Sequence, residues 1–165
     1  MDPRRFWRHV VMTPWKARQA FPPAAREAIA RAIAAQEKRH RGELRFVVEA
    51  ELGTFALLAD RTPRARAVEL FPRLGVHRTA ERTGVLIYVL LADQRVEIVA
   101  DQGIAARVAQ AEWQAACALM QESFRAGRFE AGAVAGIEAV SALLAKHFPA
   151  GEGNANELPD QPLML

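Results

Sequence analysis

The sequence TGVLIYVLLADQRVEIVADQGI, which runs from residue 83 to residue 104, decides the fold. Its residues 85–91 form an unbroken apolar run, rich in β-branched and large aliphatic side chains. Because this run lacks the polar alternation of a half-exposed strand, we expect it in the middle of a sheet, covered by helices on both faces. Residues 96–100 predict a second strand. The connection between the two is of hairpin length, so they should pair antiparallel.

Outside this block, the pattern predicts one more strand and four long helices. Residues 43–50 alternate partly and predict the first strand. The helices are predicted over residues 22–41, 63–74, 104–124 and 129–148, with a kink or an early end at Pro72. A strand–helix–strand unit is right-handed and makes its strands parallel, so residues 43–50 should run parallel to residues 85–91. The expected fold class is α/β, with a small mixed β-sheet between layers of helix.

Composition assigns the chain to the ordinary globular proteins. Its 165 residues suit one domain with a real core, and 51% of them are apolar. A net charge of +3 is too small to indicate nucleic acid as a partner. The single cysteine, Cys117, excludes an internal disulfide, and no apolar run reaches the length of a membrane span. No secretory signal core follows the N-terminus, so we expect a cytoplasmic protein.

We expect three parts along the chain. Residues 1–20 form a basic, aromatic arm, residues 21–149 the domain, and residues 150–165 a flexible tail rich in Gly, Asn and Pro. The last four residues of this tail are apolar, so docking on a partner or on the domain itself stays open.

The N-terminal arm mixes basic and aromatic side chains, which is typical of segments that lie on an anionic membrane surface. The candidate membrane contacts are Arg4, Arg5, Trp7, Arg8 and Trp15. A second interpretation stays open, in which the arm packs its aromatic side chains on the domain. The first interpretation predicts a protein that is peripheral to the inner membrane.

The motifs of common enzyme classes are missing from the sequence. Its two serines lie in predicted helices and outside any nucleophile elbow, and its four histidines lack the spacing of zinc ligands. No glycine-rich phosphate-binding loop is found. The sequence therefore contains no complete catalytic motif.

The predicted sheet nevertheless gathers polar residues at one edge. Antiparallel pairing brings the end of the strand 96–100 beside the starts of the other two. The residues expected there are Glu43, Glu81, Arg82, Thr83, Asp101 and Gln102. Glu43 and Asp101, with backbone carbonyls, are the candidate ligands for calcium, whereas Arg82 and free helix amides would favour an anion. In a third interpretation, Asp101 only caps a helix and Glu43 pairs with Arg82 or Arg45.

Four segments carry a resemblance to a known family. They are GVLIYVLLAD from residue 84, RVEIVADQGI from residue 95, RGELRFVVEA from residue 41, and GRFEAGAVAGIEAVSALLAKHF from residue 127. In their order, over residues 20–148, they resemble the TPM domain family, which includes a thylakoid-lumen acid-phosphatase-like protein. The resemblance implies a three-layer α/β/α sandwich around a small mixed β-sheet. It also implies weak phosphatase activity and calcium binding at the sheet edge, and membrane-anchored partners.

The sequence departs from the family pattern at the edge itself. Many members carry Asn-Asn before the Gly-Val-Leu strand, where this chain has Arg82 and Thr83. A cation there repels calcium, and the amide oxygens are lost. The export signal and membrane anchor of many members are also missing, so we expect a stand-alone, soluble, bacterial-type member. Our leading hypothesis is a non-catalytic module that binds a protein partner near the cell-envelope membrane. The candidate partners include membrane-anchored proteins. The alternative is a weak, metal-assisted acid phosphatase with its site near Asp101.

Overall fold

The computed structural model describes residues 2–152 and 155–165, and its centre is a mixed β-sheet. The strands are β1 (Glu43–Glu49), β2 (Gly84–Leu90), β3 (Arg95–Ala100) and β4 (Leu163–Met164), in the spatial order β3-β2-β1-β4. β1 pairs with β2 in parallel, and β2 pairs with β3 antiparallel. Both pairings follow the predictions from the apolar run and the hairpin connection.

Helices make up most of the rest of the described chain. They are α1 (Pro3–Val11), α2 (Pro14–Ala20), α3 (Pro23–Gln36), α4 (Thr54–Leu58), α5 (Pro63–Arg73), α6 (Gln102–Ala105), α7 (Gln110–Arg125) and α8 (Phe129–His147). Four of them begin with proline, a residue that fits the first helical position because the N–H it lacks has no partner inside the helix there. None of the helices in the described part of the chain is both long and apolar enough to cross a membrane.

The sheet separates two apolar cores, as the run 85–91 predicts. Val85, Ile87 and Val89 pack with α3, α7 and α8 on one face of β2. On the opposite face, Leu86 and Tyr88 pack with residues of α4 and α5. Alternate side chains of one strand thus enter two cores, and burying each large aliphatic side chain contributes ~1.5–3 kcal/mol. The three-layer α/β/α prediction agrees with this arrangement.

Two predicted helices differ from the observed ones. The segment 104–124 is not continuous, because α6 ends at Ala105 and α7 starts at Gln110. The side chain of Glu112 accepts a hydrogen bond from the N–H of Ala109, which fixes the new start. α3 ends at Gln36, five residues earlier than predicted, and continues as a 3₁₀ turn over Glu37–Arg39. α5 ends one residue after Pro72, as the missing proline N–H predicts.

The C-terminal segment lies on the domain, which corrects the expectation of a flexible tail for residues 155–165. β4 pairs in parallel with β1, with Leu163 opposite Val47. The Arg45 guanidinium donates hydrogen bonds to the carbonyl oxygens of Pro159 and Gln161, at 3.0 and 2.6 Å. The sequence left open whether the segment docks on a partner or on its own domain. It packs on its own domain. Residues 153 and 154 of the predicted tail lie outside the described residues.

Candidate functional site

The backbone brings the predicted polar residues to one edge of the sheet, which we call the strand-start edge. The N–H of Glu43 donates to the carbonyl of Thr83 at 3.1 Å, and the N–H of Asp101 donates to that of Gly84 at 2.9 Å. Glu43 pairs with Gly84 in the parallel register. The starts of β1 and β2 and the end of β3 therefore meet, because a hairpin returns its second strand to the start of the first.

Glu43 is held by the C-terminal segment. Its Oε2 atom accepts hydrogen bonds from the backbone N–H groups of Glu157 and Leu158, at 3.0 and 3.1 Å. The residue is only 1% exposed. Burial raises the pKa of its carboxyl group, the two amides oppose the rise, and the charges of Glu157 and Asp160 add to it. Within the described residues, the expected ion pair of Glu43 with Arg82 or Arg45 is not formed, since peptide amides replace it.

Asp101 caps the helix that follows it. Its Oδ1 atom accepts a hydrogen bond from the N–H of Gln102 at 2.7 Å. Its Oδ2 atom is buried and, like Oε1 of Glu43, has no hydrogen-bond partner among the described residues. The capping interpretation of Asp101 therefore describes the observed contact.

The exposed residues of this edge include the predicted Glu81, Arg82 and Gln102. Glu81 forms a 2.8 Å ion pair with Arg41, whose carbonyl accepts a hydrogen bond from the buried Thr83 hydroxyl. Arg82 has φ +56°, a left-handed conformation that asparagine adopts more easily than arginine does. This explains why asparagine suits the position in the family pattern that the sequence resembles.

Two buried titratable residues, Glu37 and His40, are not among the site residues that the sequence predicts. The Glu37 side chain accepts a hydrogen bond from the N–H of Leu44 at 2.8 Å. Burial raises the pKa of Glu37 to about 8, against the opposing Leu44 hydrogen bond and with support from the charges of Glu43 and Asp160. Burial also lowers the pKa of His40 to about 4. Both lie in a charged run that looks like an ordinary helix end, so no local signal marks them as buried.

The strand-start edge offers few side-chain ligands for a calcium ion. Calcium takes six to eight oxygen ligands, whereas the side chains of Glu43 and Asp101 leave one unbonded oxygen each. Among residues 2–152 and 155–165, no group of three or more His, Cys, Asp or Glu side chains could hold a metal ion. Both residues are also almost fully buried.

The N-terminal helices dock through one face of α1. Arg5 makes a bidentate contact with Asp93, with an Nη2–Oδ2 distance of 2.8 Å. His9 accepts a hydrogen bond at Nδ1 from the N–H of Leu52, so its Nε2 atom carries the proton and donates to Asp93 at 3.0 Å. Arg5 is therefore part of the docking contact, which corrects its assignment as a membrane contact.

The opposite face of α1 stays open to solvent. Trp7 is 64% exposed, and Trp15 at the start of α2 is 62% exposed. Val10 and Val11 are about half exposed beside them. We call these four residues the exposed apolar stripe. The interpretation in which the arm packs its aromatic side chains on the domain holds for Phe6 but not for either tryptophan.

A comparison with known protein families assigns the chain to one of them. A family model described as TPM domain matches residues 16–143. The chain belongs to the TPM domain family. This confirms the family that the strand and hairpin segments predicted, and the match begins after α1, so α1 lies outside the part that the family model describes.

Solved structures support the TPM fold. The NMR structure of the BA42 protein from the psychrophilic bacterium Bizionia argentinensis is 33% identical in sequence, with a TM-score of 0.72. The match covers 86% of this TPM chain and 93% of BA42. The N-terminal domain of a P. gingivalis protein is 20% identical with a TM-score of 0.61, covering 76% of this chain and 77% of that one, which shows the fold alone. No curated protein matches the sequence.

Proposed function

We propose that this TPM protein is a non-catalytic binding module that works at an anionic membrane surface, where it meets a protein partner. The observation that carries the proposal is the exposed apolar stripe on α1 and α2. A soluble domain gains stability by burying tryptophan, so two adjacent helices that each expose one indicate a contact with something else.

The arrangement of α1 supports this proposal. Residues three and four positions apart share a helix face, so Trp7, Val10 and Val11 form one row. His9 faces the domain, opposite this row. The exposed cations beside the row are Arg4, Arg8, Lys16 and Arg18. Tryptophan favours the membrane–water interface, and each basic residue near an anionic surface contributes ~1 kcal/mol.

The strand-start edge supports the non-catalytic part of the proposal. A phosphomonoester must reach its nucleophile or metal, but Glu43 is 1% exposed and Asp101 is 4% exposed. Their inner oxygens face protein, and Glu157 and Leu158 cover Glu43. Backbone amides engage one oxygen of each carboxylate, at the helix cap and at the strand end.

We expect the full-length protein to sediment with vesicles of phosphatidylserine and phosphatidylcholine. Trp7→Ala/Trp15→Ala should weaken this binding about tenfold or more, since it removes the two interface-seeking side chains. The matched control is Leu119→Ala, which trims an exposed apolar side chain of α7 and should sediment like the wild type. Equal sedimentation of the double variant and the wild type would overturn the membrane contact.

We expect no hydrolysis of a generic phosphomonoester above the uncatalysed rate, with or without added calcium or magnesium. The reason is that Asp101 is buried and is engaged as a helix cap. Assays at several pH values with purified protein test this. Hydrolysis that disappears both with a chelator and in Asp101→Ala would establish the metal-assisted phosphatase in place of the non-catalytic module.

A further inference from the structure

A cavity of about 780 Å³ opens at the end of the sheet opposite the strand-start edge. Its walls are α2, the turn after β2 and the turn between α7 and α8, and we call it the α2–α8 groove. Leu90 and Leu91, at the carboxyl end of β2, are among its lining residues. Ligands of open α/β sheets bind beyond the carboxyl ends of the parallel strands, in pockets of roughly 300–1,000 Å³.

The floor of the groove is apolar and aromatic. The rings of Phe124 and Phe129 stack at a centroid distance of 5.6 Å, and both contact the buried ring of Phe21. Phe124 and Phe129 remain partly exposed and line the groove together with Leu91. An extended hydrocarbon can therefore lie on a floor that three packed rings hold in place.

The rim of the groove is mostly cationic. Lys16, Arg125 and Arg128 lie on it against one carboxylate, that of Glu130. Arg125 and Arg128 form no ion pair with any residue in the described ranges. α8 also starts at this rim, so the positive end of its dipole adds to the same potential.

We propose that the α2–α8 groove binds a single-chain anionic amphiphile of the fatty-acid type. Its hydrocarbon chain lies on Phe124 and Phe129, and its carboxylate pairs with Arg125 and Arg128. The apolar floor selects the chain, and the uncompensated rim charge selects the anionic end. The groove opens beside the exposed apolar stripe, since Met12 and Lys16 line it and are next to Val11 and Trp15 in sequence. The binding itself needs no membrane.

Calorimetric titration with laurate, kept below its critical micelle concentration, tests the proposal on the full-length protein. We expect saturable binding of one laurate per protein. Arg125→Glu/Arg128→Glu should weaken it about tenfold or more, because the variant replaces attraction of the carboxylate with repulsion. Arg31→Glu is the control, since it reverses an exposed charge of α3 outside the groove and should bind laurate like the wild type.

A second variant tests the apolar floor of the groove and leaves the charge of its rim unchanged. Ala131 is exposed on the first turn of α8 and lines the groove, so Ala131→Trp fills space that the chain would occupy. It should abolish laurate binding while leaving the melting temperature unchanged. Dodecyltrimethylammonium, which has the same chain and a positive end, should bind at least tenfold more weakly than laurate.

The results separate this proposal from the membrane proposal. Laurate binding that Arg125→Glu/Arg128→Glu leaves intact, equal binding of the cationic amphiphile, or no saturable binding would each overturn the groove assignment. None of these results depends on vesicles, and none involves Trp7 or Trp15. The experiments can therefore contradict laurate binding in the groove while they confirm vesicle binding by the exposed apolar stripe, or the reverse.

Discussion

Gly84→Ala should destabilise the protein by about 3 kcal/mol or more. A Cβ atom on Gly84 would lie 2.0 Å from the carbonyl oxygen of Val76 and 2.9 Å from its Cγ1 atom. Gly84 cannot shift away, because it pairs with Glu43 of β1 and its carbonyl accepts the N–H of Asp101. The added methyl group must therefore displace backbone at the start of β2.

Urea unfolding of Gly84→Ala and Gly53→Ala measures this effect against a matched control. Gly53 has φ −60°, and a Cβ atom there would meet no atom within 4 Å. Gly53→Ala should thus change the stability by less than about 1 kcal/mol, because the restriction of the unfolded chain is offset by the loss of glycine at the N-cap of α4. A loss below 1 kcal/mol in Gly84→Ala would show that the contact with Val76 relaxes easily.

Glu37→Gln should stabilise the protein at pH 9 and leave its stability unchanged near pH 4. The pKa of Glu37 is raised to about 8 in the folded protein by burial. Below the pKa that Glu37 has in the unfolded chain, Glu37 is protonated in both the folded and the unfolded state, and no stability is lost. As the pH rises towards 8, the unfolded chain ionises first and stability is lost, by about 3 kcal/mol between pH 6 and pH 9. Glutamine cannot ionise, so Glu37→Gln removes the loss of stability that Glu37 causes at high pH.

Stability measured by urea unfolding at pH 4, 7 and 9 tests the expectation. The control is Glu27→Gln, which removes an exposed carboxylate from α3, the helix just before Glu37, and should not change the pH dependence. Glu43 has a raised pKa as well, so some loss at high pH should remain in Glu37→Gln. Equal slopes for Glu37→Gln and the wild type would show that Glu37 is already ionised at neutral pH.

The sheet could be predicted because its signals are local. Residues 85–91 are apolar on both faces, which only a strand between two helical layers can bury. The short connection to residues 96–100 imposes an antiparallel pair, and the meeting of Glu43, Thr83 and Asp101 follows from it. The family follows from the same segments, since their order along the chain repeats the order of the elements.

The roles of the polar residues were decided only by tertiary structure. The carboxylate of Glu43 accepts hydrogen bonds from backbone N–H groups of residues more than a hundred positions away, and no local pattern encodes that contact. Glu37 looks like a solvated helix-end residue in the sequence, yet the start of β1 packs over it and desolvates it.

The same distinction applies to the two surfaces proposed to bind lipid. The sequence of the arm establishes its charge and its tryptophans, because composition is visible without a fold. Which face of α1 stays exposed depends on Asp93, which holds Arg5 and His9 from the far end of the sheet. The α2–α8 groove forms where three distant segments meet. Sequence thus determined the three central strands and their pairing, and only long-range packing decided which side chains reach solvent, because burial depends on neighbours that the chain brings from elsewhere.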